Sequence, residues 1–87
     1  MIVEYSKKFE KQLRKAPKKI KIQFRKKLAI FILDKDDVRL NNHRLKGRFG
    51  VFRSINVTGD WRVIFRELNG GKLVKFYLIG THSQLYK

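Results

Sequence analysis

The chain opens on Ile2-Val3-Glu4-Tyr5, a short apolar, β-prone run that predicts a strand. Ser6 follows, and a serine hydroxyl there can accept a hydrogen bond from a free N–H of a helix's first turn. Phe9 and Leu13 then fall four apart among Lys7, Lys8, Lys11, Arg14 and Lys15, the spacing of an amphipathic helix. Ala16-Pro17 interrupts the pattern, and Pro17 suits the first turn of a second helix because the N–H it lacks would be unpaired anyway. In that helix Ile20, Phe24, Leu28 and Phe31 recur at helical spacing, with Ile30 and Leu33 widening the stripe. Lys18, Lys19, Lys21, Arg25, Lys26 and Lys27 form its other face, so the two helices make a basic hairpin.

Asp34-Lys35-Asp36-Asp37 ends the helix. Residues 38–50 are polar and broken by glycine, with Val38, Leu40, Leu45 and Phe49 as isolated apolar positions. From Val51 the grammar changes. Residues 51–57 read as a strand, and Thr58-Gly59-Asp60 as a turn. In residues 61–67, Trp61, Val63 and Phe65 share one face while Arg62, Ile64 and Arg66 share the other. Asn69-Gly70-Gly71 predicts a hairpin turn. Leu73 to Ile79 is the most apolar run and reads as a central strand, with Gly80 ending it and Thr81 to Lys87 as a short tail. The expected fold class is α+β: an N-terminal strand and a two-helix hairpin packed on a small antiparallel sheet. No repeat or linker divides the chain, so one domain over 1–87 is expected.

Composition sharpens this picture. Of the 87 residues 43% are hydrophobic and 13% aromatic, enough for a modest core. No cysteine is present, which excludes disulfides and thiolate metal sites. Met1 leads straight into a charged amphipathic segment and no apolar run nears membrane-spanning length, so a soluble cytoplasmic protein is expected. Twenty-two Lys and Arg against seven Asp and Glu give a net charge of +15. Such a surface attracts polyanions. Nucleic acid is the first candidate partner, an acidic protein the second and an anionic membrane surface the third. A lysine-rich surface of the thermophile kind is disfavoured because glutamate is scarce.

Chemistry can come from few places. His43 and His82 are the two histidines, and only histidine titrates near neutrality without help. His43 lies in the loop Asn42-His43-Arg44-Leu45-Lys46-Gly47, and His82 just past the apolar strand. Asp60 stands in a turn directly before Trp61-Arg62, and Tyr86 is next to last. Each alone has a plain reading: solvated loop histidines, a turn aspartate, a packing tyrosine. No pair of the form His-x-x-x-His supports a metal site, and neither metal nor other cofactor is expected. Lys46, Arg48, Arg53, Arg62 and Arg66 add cations on the sheet and its loops, apart from the helical basic face. Histidine, aspartate and tyrosine with several arginines fit RNA cleavage without a metal. A base takes the 2′-OH proton, the 2′-oxygen attacks the adjacent phosphorus, and an acid protonates the leaving 5′-oxygen. Arginine stabilises the charge that develops.

On these residues the chain resembles the RelE/ParE superfamily, and within it the YafQ-like branch of messenger-RNA-cutting toxins. The β-α-α-β-β-β order covers nearly the whole chain. His43-Arg44-Leu45-Lys46-Gly47 resembles that branch's His-x-Leu-x-Gly, Asp60-Trp61 its Asp-Trp, and Gly80-Thr81-His82 with Leu85-Tyr86 its closing Gly-Thr-His and Leu-aromatic pair. The resemblance implies that His43 and His82 are acid/base or phosphate-stabilising groups. It makes Asp60 a base or an orienter of a histidine, and Tyr86 the aromatic that positions the substrate base. It places Arg53 and Arg62 where relatives often carry basic groups near the scissile phosphate, and Lys46 and Arg48 are expected to bind RNA or phosphate beside them. One place departs: the branch has a further histidine four residues before the aspartate, where this chain has Asn56. Asparagine hydrogen bonds but does not transfer protons near neutral pH.

The resemblance also implies two partners, without a membrane. One is the ribosome, which presents the mRNA. The other is an acidic, partly disordered antitoxin that folds over the toxin as a hetero-oligomer. Two rival functions remain: a ParE-like toxin that poisons DNA gyrase without nuclease chemistry, and a non-catalytic RNA- or ribosome-binding protein. A decayed toxin that still binds its antitoxin is a third. The pair His43 and His82 favours the nuclease.

Overall fold

Ser6 does cap the first helix: its hydroxyl accepts the Phe9 N–H at 3.0 Å and starts α1 (Lys7–Lys15). The computed structural model describes residues 1–86. β1 (Ile2–Tyr5) precedes α1, and Pro17 sits at the N-cap of α2 (Lys18–Leu33). Five strands make one sheet, which is completed by β2 (His43–Arg44), β3 (Arg53–Asn56), β4 (Trp61–Leu68) and β5 (Leu73–Thr81). Their order across the sheet is β1-β5-β4-β3-β2.

The sheet differs from the expected one in that β1 lies parallel to β5, so it is mixed. The two-helix excursion α1–α2 is what lets the first strand reach the last one in parallel. The expected strand over 51–57 shortens to Arg53–Asn56. Gly47, at φ 66°, begins a tight 3₁₀ turn whose end draws Val51 and Phe52 out of the ladder. The expected tail is instead a helical turn, α3 (His82–Leu85), starting with a capping box: Thr81 accepts from Gln84 N–H, and Gln84 accepts from Thr81 N–H.

The helices cover one face of the sheet. Phe9, Phe24, Phe31, Phe65 and Phe76 meet there, with Phe76 in ring contact with all four others and with Tyr5. Ile55, Val57, Val63, Val74 and Ile79 fill the space around them. The predicted alternation of Trp61, Val63 and Phe65 toward the core holds along β4. It fails along β5. The pairing with β4 slips between Ile64 opposite Leu78 and Phe65 opposite Phe76, so Tyr77 is an inserted residue. Phe76 and Ile79 thereby both reach the core, while Tyr77 and Leu78 are left half-buried. Beyond the end of β1, α1 supplies partners to the edge of β5: Ser6 Oγ donates to the Tyr77 carbonyl and Gln12 Oε1 accepts from Ile79 N–H. Among the described residues no helix is long and apolar enough to cross a membrane.

A candidate active site on the open face of the sheet

The face of the sheet away from the helices is where the candidate chemistry collects. Asn56 of β3 stands opposite Arg62 of β4, which stands opposite Gly80 of β5. In the neighbouring row His43 of β2 pairs with Ser54, Ser54 with Ile64, and Ile64 with Leu78. A cleft of about 380 Å³ opens over these rows, lined by His43, Lys46, Arg62, His82 and Tyr86 together with Asn41, Arg44 and Leu45.

His43 is exposed, yet its ring is anchored. Asn41 adopts the left-handed conformation (φ 50°, ψ 47°), which asparagine tolerates better than most residues. The turn brings the Asn41 carbonyl to 2.8 Å from His43 Nδ1. A carbonyl only accepts, so Nδ1 carries the proton, and in the neutral ring Nε2 keeps its lone pair. Arg62 is half-buried and anchored by the β3–β4 turn. Its Nη1 donates to the Thr58 carbonyl at 3.1 Å and the Gly59 carbonyl at 2.9 Å. Among the described residues Nε and Nη2 make no hydrogen bond, leaving one edge of the guanidinium for a ligand.

His82 opens α3, and its backbone N–H donates to the Asp60 carbonyl at 2.9 Å. That bond ties the end of β5 to the β3–β4 turn. One helical turn later the Tyr86 ring lies 4.7 Å from the His82 ring, tilted by 49°. Gly80 permits this arrangement. A Cβ there would stand 3.0 Å from Gln84 Oε1 and 3.3 Å from Leu85 Cδ2, close enough that both side chains would have to give way, including the Gln84 oxygen of the capping box.

The structure thus brings together His43, Lys46, Arg62, His82 and Tyr86 of the residues singled out in the sequence, and leaves three elsewhere. Asp60 is exposed and reaches His82 through its backbone carbonyl; its side chain does not line the cleft. Arg48 lies outside the cleft with its guanidinium 5.1 Å from the Phe49 ring centre. Arg53 lies opposite the core residue Phe65 and so on the helix side of the sheet, where its Nε donates to Asn42 Oδ1 at 2.8 Å. Sequence reasoning passed over Asn41, Thr58 and Gly59, whose carbonyls hold His43 and Arg62; the Asn41-Asn42 pair before the histidine was the available signal. Asn56, opposite Arg62, does not line the cleft: its Oδ1 is buried without a hydrogen-bond partner among the described residues.

Comparisons with known proteins point the same way as the motifs. None of the curated sequences compared with the chain matches it. The structure superposes on YafQ from E. coli strain BL21(DE3) with a TM-score of 0.81 at 24% identity, covering 98% of this chain and 97% of that one. It is similar to the toxin in the E. coli DinJ–YafQ toxin-antitoxin complex at a TM-score of 0.79 and 25% identity, covering 98% and 96%. A YoeB/ParE toxin from Agrobacterium tumefaciens shares the fold at a TM-score of 0.79 and 12% identity, covering 94% and 99%. The family model described as the bacterial toxin of a type II toxin-antitoxin system, YafQ, matches residues 1–87. The chain belongs to the YafQ family of type II toxin-antitoxin toxins.

Proposed function

We propose that this toxin is a ribosome-dependent endoribonuclease that cuts mRNA by attack of a 2′-OH on the adjacent phosphorus. The observation that carries the reading is the single cleft in which two histidines, an arginine, a lysine and a tyrosine converge. Neutral His43, with Nδ1–H held by the Asn41 carbonyl, offers Nε2 as the base for the 2′-OH proton. The 2′-oxygen then bonds to phosphorus as the bond to the 5′-oxygen breaks, and protonated His82 gives its proton to that leaving oxygen. The free edge of Arg62, with Lys46, faces the negative charge that builds on the phosphorane oxygens. Tyr86, beside His82, provides a ring on which the substrate base stacks.

The basic face of α1 and α2 and the net charge of +15 suit a partner covered in phosphate, and the ribosome presents mRNA among rRNA phosphates. The same surface suits an acidic antitoxin, as in the related DinJ–YafQ toxin-antitoxin complex. We place both encounters in the cytoplasm. A gyrase-poisoning function has no use for the paired histidines.

The mechanism is tested by one atom of the substrate. A message carrying a single 2′-deoxynucleotide on the 5′ side of a mapped cut is expected to resist cleavage there, while other sites are still cut and leave 2′,3′-cyclic phosphate ends. Cutting at the deoxy position would show that the 2′-OH is not the nucleophile.

A further inference from the structure

Behind the cleft, on the helix side of the sheet, four residues close a polar ring. Asn42, next to His43, is held at both ends of its amide. Its Nδ2 donates to the Lys35 carbonyl at 2.9 Å, and its Oδ1 accepts from Arg53 Nε at 2.8 Å. Glu67 completes the circuit. One carboxylate oxygen takes the Lys35 ammonium, and the other lies 3.7 Å from Arg53 Nε. All four residues are partly buried. The ring ties together the end of α2, the loop into β2, β3 and β4, elements distant in sequence. Glu67 is one of only seven acidic residues in a chain with twenty-two Lys and Arg, and it meets two cations here.

We infer that Asn42, clamped by Arg53 and Lys35 and backed by Glu67, is the positioning residue of His43. Asn42 sits between the two partners whose geometry matters, the Asn41 carbonyl and the His43 ring. Fixing Asn42 on one side of the sheet fixes the left-handed turn at Asn41, and that turn places the carbonyl against Nδ1 on the other side. The ring thereby selects the tautomer whose free nitrogen is Nε2. Arg53 acts on the histidine through Asn42 and touches no substrate. The catalytic consequence rests on the reading of His43 as the base; the structural one does not.

Imidazole nitrogen NMR tests the structural half. In a His82→Gln background His43 is the only histidine, so it alone reports. The parent is expected to show the Nδ1–H tautomer. Asn42→Ala and Arg53→Met are expected to move it toward the Nε2–H form that a free neutral imidazole prefers. Glu67→Gln, the mildest change, is expected to move it less, and Arg53→Lys, which keeps a cation, to restore part of the parent signal. With His82 intact, Asn42→Ala and Arg53→Met are expected to lower kcat for RNA cleavage about ten- to hundredfold, the scale of a misplaced catalytic group, with KM unchanged. Folded variants that keep the parent tautomer would overturn the inference, whatever their cleavage rate. A wild type that cuts no RNA but whose tautomer responds as described would sink the nuclease reading and leave the positioning role standing.

Discussion

Glutamine in place of His82 is expected to abolish RNA cleavage and leave the fold intact. The side chain is exposed at the start of α3, where its ring lies against that of Tyr86. The bond that anchors this corner runs from the His82 backbone N–H to the Asp60 carbonyl, and glutamine keeps it. The capping box of Thr81 and Gln84 is untouched. Surface changes away from such anchors usually alter stability by about 0.5 kcal/mol or less, so the thermal melt is expected to coincide with wild type. Glutamine matches histidine in polarity but cannot pass a proton near neutral pH. Loss of a positioned acid or base commonly costs about 10²- to 10⁴-fold in rate, so expression of the variant is expected not to arrest growth. A folded His82→Gln protein as toxic as wild type would remove His82 from the chemistry.

The largest loss of stability is expected at Phe76. This residue is fully buried on β5, between β1 and β4, and meets Tyr5, Phe9, Phe24, Phe31 and Phe65 at ring-centre distances of 5.6 to 5.8 Å. It joins β1, β4, β5 and both long helices. Truncating a buried phenylalanine to alanine costs about 3–5 kcal/mol, from lost transfer energy and the cavity left behind. A domain of this size has about 5–15 kcal/mol in total at most, and self-repulsion at +15 draws on it. Phe76→Ala is therefore expected to lower Tm by more than about 12 °C, at about 4 °C or more per kcal/mol. A melt within a few degrees of wild type would mean that the aromatic cluster repacks and is not the keystone described.

Much of the fold was legible because its signals are local. Ser6 as a cap, the break at Pro17, the spacing of Phe24 and Phe31 and the turn at Asn69-Gly70-Gly71 each depend on a few adjacent residues. The parallel pairing of β1 with β5 joins Tyr5 to Phe76 across most of the chain, and no local pattern announces it. The inserted Tyr77 was equally hidden, since a run as apolar as Leu73 to Ile79 does not show which residues face the core. The helical turn after Thr81 could have been read, because Thr81 and Gln84 have the spacing of a capping box. The candidate site divides in the same way. The sequence singled out His43, Lys46, Arg62, His82 and Tyr86, but not the face that Arg53 takes, which depends on register: it pairs with Phe65, not with a residue of the open face. The carbonyls of Thr58 and Gly59 have no signature in side-chain type, and that of Asn41 has only the Asn41-Asn42 pair before the histidine.

As proposed, this toxin cuts mRNA on the ribosome with the histidines of one cleft. The most direct measurement is primer-extension mapping of a message in a reconstituted translation system, with wild type beside His43→Gln and His82→Gln. Discrete cuts are expected in translated message with wild type, none without ribosomes, and none with either variant. An intact message in the presence of folded wild-type protein would contradict the proposal, and inhibition of DNA supercoiling by gyrase would then be the activity to measure.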